Sequence, residues 1–401
     1  WSQSNFGEDL VFGHRGGAIF YWDATNSVNT RGVYLSSLSG ASNVPTTQNL
    51  ILVSDINRFV FCFGTNDVGT ATVDPMLIRW SDQENVAQWT PASTNQAGSL
   101  RLSRGTEIVA AKQARQEVLV WTNSSLYSLQ YLGAPAVWGA QLVGDNTSIA
   151  SMNSVAFASG VAFWMGKDKF YMYDGRSQPL PCTVRRYVFE DFNTLQYDQV
   201  FAGTNEAFHE VWWFYCSVNS DTIDKYVVFN YLEQTWYYGT LARTAWLDSG
   251  LRNFPLAATY SYNLVNHEQG TDDNQTGTPA PIAATITSGQ FDIDDGDRFA
   301  FVWRIIPDVT FEGSTATSPS ATMKLLPLAN SGSGYNNPLS EGGSATGTVT
   351  RTATVPIEQF TEQVNTRVRG RQMSIEMAST DLGVKWQLGA PRVDMRPDGR
   401  R

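Results

Sequence analysis

Residues that could do chemistry are few and badly spaced for it. The three histidines are His14, His209 and His267. Two of them open His-Glu pairs, His209-Glu210 and His267-Glu268, but neither pair has a second histidine four residues on, so the helical zinc-protease pattern is absent. Cys62, Cys182 and Cys216 stand far apart, with no Cys-x-x-Cys spacing, and an odd count argues against a disulfide framework or a zinc site. They read as free thiols. The cluster Asp292, Asp294, Asp295 and Asp297 suggests calcium, yet with Gly296 at the sixth position of the loop Phe291 and Ile293 fall where carboxylates belong. Asp272, Asn274, Thr276 and Gly277 fit the first half of such a loop, but Ala283 sits where the bidentate glutamate is needed. Gly160 to Lys167 loosely follows a phosphate loop, with five residues between the glycines instead of four and Asp168 in place of Ser or Thr. No Gly-x-Ser-x-Gly nucleophile elbow occurs. A glycosidase carboxylate pair carries no local signature and stays open. The expectation is a chain that is not an enzyme, with no catalytic, cofactor-binding or metal site and no cofactor.

Arginine is the other side chain that clusters. Arg367, Arg369, Arg371, Arg392, Arg396, Arg400 and Arg401 crowd the end of a chain whose net charge is −10, from 28 Lys/Arg against 38 Asp/Glu. The imbalance lies in residues 1–279, with 16 against 25, whereas residues 280–401 hold 12 against 13. In Arg367-Val368-Arg369-Gly370-Arg371, an extended backbone puts three arginines on one strand face. Three readings stand: solvated or salt-bridged arginines, an inter-subunit contact with the acidic part of the chain, or DNA phosphate binding. The candidate contacts are Arg367, Arg369, Arg371, Arg396 and Arg400. The acidic total argues against a dedicated nucleic-acid binder and suits a conduit that DNA passes without sticking.

The elements that must position these residues are strands. Runs such as Phe59-Val60-Phe61-Cys62-Phe63, Val118-Leu119-Val120-Trp121 and Val161-Ala162-Phe163-Trp164 are about five residues long, β-branched or aromatic, and bounded by Gly, Asn, Asp and Ser. Glu107 to Leu119 reads as strand, turn, strand. Ser148 to Gly166 is uncharged but alternating, and reads as two strands, so no membrane span is expected. Trp80, Trp121, Trp164 and Trp213 recur at 41, 43 and 49 residues, the period of propeller blades. Arg79-Trp80-Ser81 leading to Gln88-Trp89-Thr90 is echoed by Asn230-Tyr231-Leu232 leading to Thr235-Trp236-Tyr237. Trp80, Trp89, Trp121, Trp164, Trp213 and Trp236 are therefore expected to be the structural aromatics of the blades. The reading is an all-β chain: a β-propeller over residues 1–268, a linker over 269–281, and a C-terminal β-sandwich or jelly-roll-like domain over 282–401 with an exposed loop at 329–345. Only 16% of the 401 residues are charged, against about 25% in an average globular chain, and 12% are aromatic, a balance that suits a surface covered by other subunits.

Several segments resemble the tail nozzle (hub) proteins of short-tailed phages, and in the same order. They are Arg79-Trp80-Ser81-Asp82-Gln83-Glu84-Asn85 closing on Trp89-Thr90-Pro91, then Glu210 to Tyr215, then Trp236 to Trp246, and the close Trp386-Gln387-Leu388-Gly389 through Arg400-Arg401. The resemblance implies a β-propeller with added β domains, a ring-shaped homohexamer below portal and adaptor, and no catalytic residues. It also implies partners: the chain itself, a tail adaptor, tail fibre or spike proteins, and double-stranded DNA in transit without specific binding. The expected location is the virion tail, after synthesis in the host cytoplasm. The alternatives are a secreted carbohydrate-binding or glycan-cleaving propeller and a phage receptor-binding protein.

Overall fold

Short apolar runs separated by tight polar turns pair with their nearest neighbours, and that rule builds most of the chain. The computed structural model describes residues 1–248, 254–328 and 352–399. Five four-stranded antiparallel meanders follow one another, each in chain order. Blade 1 is Ser2–Phe6, Asp9–Gly13, Phe20–Trp22 and Val33–Tyr34. Blade 2 is Leu50–Val53, Val60–Asn66, Val73–Trp80 and Gly98–Arg101. Blade 3 is Ile108–Gln113, Val118–Thr122, Ser125–Gly133 and Val137–Asp145. Blade 4 is Val155–Ala158, Val161–Met165, Phe170–Tyr173 and Ser177–Leu180. Blade 5 is Phe201–Asn205, Glu210–Tyr215, Lys225–Asn230 and Thr235–Thr240. A three-stranded sheet, Ala245–Leu247, Leu256–Ala258 and Leu264–Asn266, comes next.

The first strands of successive sheets touch: blade 1 with blade 2, blade 2 with blade 3, blade 4 with blade 5, and blade 5 with the three-stranded sheet. Repeated meanders whose first strands lie together form a β-propeller. Faces bury against neighbouring blades. Phe59, Phe61, Phe63, Val118 and Val120 fill the junction of blades 2 and 3, and Phe163, Met165, Val211 and Trp213 that of blades 4 and 5. Each such large side chain contributes roughly 1.5–3 kcal/mol of burial. Glu107 to Leu119 is strand, turn, strand as its sequence implies. Ser148 to Gly166 holds two strands joined at Ser159 and Gly160, both at positive φ, the backbone that a two-residue hairpin turn with the right twist requires. Among the described residues, no helix is long and apolar enough to cross a membrane.

The chain divides into two compact units, Trp1–His267 and Glu268–Arg401. The second is a two-sheet sandwich. One sheet runs Ala284–Thr287, Gln372–Ser379, Ser320–Leu328 and Ala353–Glu358, with Phe291–Asp292 also on Gln372–Ser379. The other is Val364–Gly370, Ala300–Ile306 and Arg392–Pro397, with Ala300–Ile306 in the middle. Met323, Leu325, Met373 and Met377 from the first sheet meet Val302, Ile305, Val364 and Val368 from the second. The expected linker over 269–281 is a hairpin of this unit instead. Asp272–Asp273 pairs with Ala280–Pro281, and the Asp272 carboxylate accepts the Gly383 N–H at 2.7 Å. Its polar, Gly/Pro-bounded composition is that of a tight turn as much as of a tether. The loop expected at 329–345 lies outside the described residues, as does Arg400.

Candidate functional site

Alternation along Val364–Gly370 buries Val364, Thr366 and Val368 and turns Arg367 and Arg369 outward. Arg371 does not continue the row. It sits in the turn to the next strand, where its guanidinium donates to the carbonyls of Gly296 and Asp297 at 2.9 and 3.2 Å. In register, Phe301 of the middle strand lies between Arg369 on one side and Arg396 on the other. Arg369 lies 4.1 Å over the Phe299 ring and Arg371 4.8 Å over it, while Arg396 is 5.2 Å from the centre of Phe301. A bulge between Val302 and Arg304 adds Trp303 to the outer surface, 40% exposed. Arg369 also pairs with Asp398 at 2.6 Å, and Arg304 with Asp394. Four of the five candidate arginines are thus on or beside one sheet face, interleaved with aromatic rings. Stacked rings hold the long side chains in place and keep their charge. The aromatic half of this pattern, Phe299, Phe301 and Trp303, was legible in the alternation of that strand but carried no meaning until the neighbouring strands were known.

The tryptophans are structural. Trp121, Trp164 and Trp213 each lie on the second strand of a blade and are fully buried. Their even spacing conceals a change of side: Trp121 points toward blade 4, whereas Trp164 points back toward blade 3, so the two indoles meet edge to face at 5.5 Å. Trp80 is on the third strand of blade 2 and does not belong to this series; the second strand there presents Phe61 and Phe63. Trp89 is buried in a loop, and Trp236 is half-buried on the outermost strand of blade 5, so the echo between them is one of sequence and not of position. Cys62, Cys182 and Cys216 are free thiols. Burial pushes Cys182 and Cys216 up to about 11 and Cys62 further still, which leaves them protonated and unreactive.

One carboxylate missed in the sequence is buried in blade 5. Glu210 opens the strand Glu210–Tyr215 and accepts from the Trp212 indole N–H at 2.9 Å, from the Tyr237 hydroxyl, and from Asn205 at 3.4 Å. Burial holds its carboxyl above the ordinary range, and the three hydrogen bonds pull it part of the way back. A group whose folded pKa is raised binds its proton more tightly in the native state, so its contribution is present below the unfolded value and is lost as pH rises through the folded one. Glu210→Gln is accordingly expected to raise the unfolding temperature near about pH 7 and to leave it unchanged near about pH 4. Thermal unfolding at the two pH values checks this; a loss of stability at the higher value contradicts it.

A polar cavity of about 620 Å³ opens on blade 2, lined by Asp82, Gln83, Glu84, Thr94, Asn95 and Gln96 among others. Its lining groups bond to each other: Gln96 donates its backbone N–H to Asp82 and its side-chain amide to Gln83, at 2.8 and 2.9 Å. Among the described residues, no three His, Cys, Asp or Glu side chains converge on a point that could hold a metal ion.

No family model matches the chain, and no curated protein matches it. Solved structures do resemble it in trace. Hsv2 of Kluyveromyces lactis is 11% identical, with 65% of this chain and 70% of that one covered and a TM-score of 0.35. A putative exported protein of Bacteroides fragilis is 7% identical, with 64% and 78% covered and a TM-score of 0.33. An exo-β-1,3-galactanase of Phanerochaete chrysosporium is 13% identical over 98% and 95%, with a TM-score of 0.27. Scores this low carry nothing about function.

Proposed function

We propose that the chain is a virion structural protein, the nozzle or hub at the distal end of a short phage tail. It would assemble as a ring-shaped homohexamer, hold the packaged genome, and let it out on host contact. The ordered resemblance of four segments supports the phage assignment. The observation that carries assembly is an aromatic ladder on blade 1. Phe12 and Phe20 stack at 5.5 Å and Phe20 and Tyr34 at 4.8 Å, with Trp1 6.3 Å from Phe12. Tyr34 is 55% exposed. The other face of the blade is spent, since Val11 packs on Ile51, Val53 and Val60 of blade 2. A contiguous aromatic surface of this kind marks a contact surface. The adaptor, fibre or spike proteins and the virion location belong to the same proposal.

Stoichiometry separates the readings. Light scattering on the purified chain is expected to give six copies. One copy would favour the secreted propeller, and three a receptor-binding protein. Antibody labelling of virions, viewed by electron microscopy, is expected at the tip of a short tail; intact virions without label would refute the tail assignment.

One observation favours the glycan-binding alternative. Tyr187 and Tyr238 lie 4.0 Å apart, half exposed, beside the pair Lys225–Asp191 at 2.6 Å. Aromatic faces next to polar groups suit a sugar ring. Saturable binding of an oligosaccharide that Tyr238→Ala abolishes would establish it.

A further inference from the structure

We infer that the outer face of the three-stranded sheet in the second unit, Val364–Gly370, Ala300–Ile306 and Arg392–Pro397, binds the phosphodiester backbone of double-stranded DNA without reading its sequence. The face carries five arginines, with Arg371 in the turn beside it, against Asp394 and the flanking Asp398, and both aspartates are already engaged, Asp398 by Arg369 and Asp394 by Arg304. Arg371 is spent on backbone carbonyls. Arg367, Arg392 and Arg396 remain, all exposed, with no carboxylate paired to them among the described residues. They stand on the two edge strands, on either side of the aromatic ridge of the middle one.

Three features suit a phosphate backbone. The side chain is arginine throughout, whose planar fork matches a phosphate's oxygens. Arg392 and Arg396 are four positions apart on one edge strand, about 13 Å, and Arg367 stands on the other edge strand, so the free charges are spread over the face, which suits an extended charged polymer more than a single carboxylate. The Phe299 and Phe301 rings are covered by guanidinium groups, so the face offers charge and not open rings on which unpaired bases would stack. The acidity of the whole chain does not cancel this local charge, because at physiological salt a charge is screened beyond about 8 Å.

The inference does not rest on the tail reading, since it is tested on the isolated full chain. If both hold, this face is a grip that retains DNA weakly and releases it.

The test is fluorescence anisotropy with a labelled duplex of about 30 base pairs, titrated at salt concentrations from about 20 to 200 mM. Three phosphate contacts predict a slope of log affinity on log salt of about −3. Two unrelated sequences should bind equally. The double variant Arg367→Gln, Arg396→Gln should lose about 2 from the slope and bind at least ~10-fold more weakly at about 50 mM salt. Arg367→Lys, Arg396→Lys should keep the slope, since charge is retained, and bind more weakly than the parent chain but more tightly than the glutamine variant, since the fork and the stacking on Phe301 are lost. Both sites are exposed, and unfolding temperatures equal to that of the parent chain confirm intact folds. No binding at the lowest salt, or an unaltered slope in the glutamine variant, overturns the inference. So does a glutamine variant that loses self-association while its DNA binding is unchanged, which would make the face a subunit contact. Single strands bound tenfold tighter than the duplex would overturn the choice of ligand.

Discussion

Arg79→Ala is expected to destabilise the propeller unit by about 3–5 kcal/mol, because buried carbonyls lose their donor and a cavity opens. Arg79 is 1% exposed. Its guanidinium donates to the carbonyls of Asn43 at 2.6 Å, Asn66 at 3.1 Å and Trp89 at 3.4 Å. Those three carbonyls belong to the segment entering blade 2, the end of its second strand, and the loop that seats Trp89. One side chain therefore ties three pieces of backbone to the third strand. Alanine would leave the carbonyls buried without a donor and open a cavity beside Cys62, whose residue pairs with Arg79 across the strands. Methionine separates the two causes. It restores most of the volume but no donor, so Arg79→Met should recover little if hydrogen bonding dominates. Lysine has a compact head that reaches one carbonyl but not three, and should fall between. For a unit of this size, the alanine variant should unfold about 5–9 °C lower. A change below about 1 kcal/mol would mean that water replaces the guanidinium.

What the sequence made legible was periodicity, and what it hid was direction. Strands at Val118–Thr122 and Val161–Met165 follow from alternation and turn residues alone, because pairing with the next strand needs only local information. The side of the sheet on which a given tryptophan falls depends on register, and a one-residue shift reverses it. The even spacing of Trp121 and Trp164 therefore implied equivalent positions, where the structure has them facing each other. The arginine cluster shows the same division. Arg367 and Arg369 share a face because they are two residues apart, which a sequence shows. That Arg396 joins them across Phe301, 27 residues after Arg369, is a matter of strand order in the sheet. Arg371 broke the pattern because the strand ends at Gly370 and the next begins at Gln372. Glu210 was not legible at all: acidic residues at a strand start are commonly exposed, and its burial comes from Trp212, Tyr237 and Asn205 closing around it.

The meeting of Trp121 and Trp164 gives the second large effect, and an asymmetry within it. Trp164→Ala is expected to cost about 3–5 kcal/mol, since a fully buried indole leaves a cavity that a β-sheet stack cannot close. Phenylalanine at the two positions should behave differently. The Trp164 indole N–H donates to the Ser148 carbonyl at 3.1 Å, and its ring stacks on Tyr171 at 5.3 Å. Among the described residues the Trp121 indole N–H has no acceptor. Trp164→Phe therefore loses volume and a hydrogen bond, leaving Ser148 without its donor. Trp121→Phe loses volume but removes a buried donor that had no partner, a change that by itself favours the fold. The expected order is a Trp164→Phe penalty larger than that of Trp121→Phe by about 1–3 kcal/mol. Because the two rings touch, the double phenylalanine variant should depart from additivity by about 0.5–1.5 kcal/mol, the coupling of an edge-to-face pair. Urea unfolding of the parent chain and the four variants measures all of this at once. Equal penalties at the two positions would mean that the Trp121 N–H is satisfied in solution, by water drawn into the junction of blades 3 and 4, and that this junction is wetter than its apolar lining of Ala110, Leu126, Val155 and Ala162 implies.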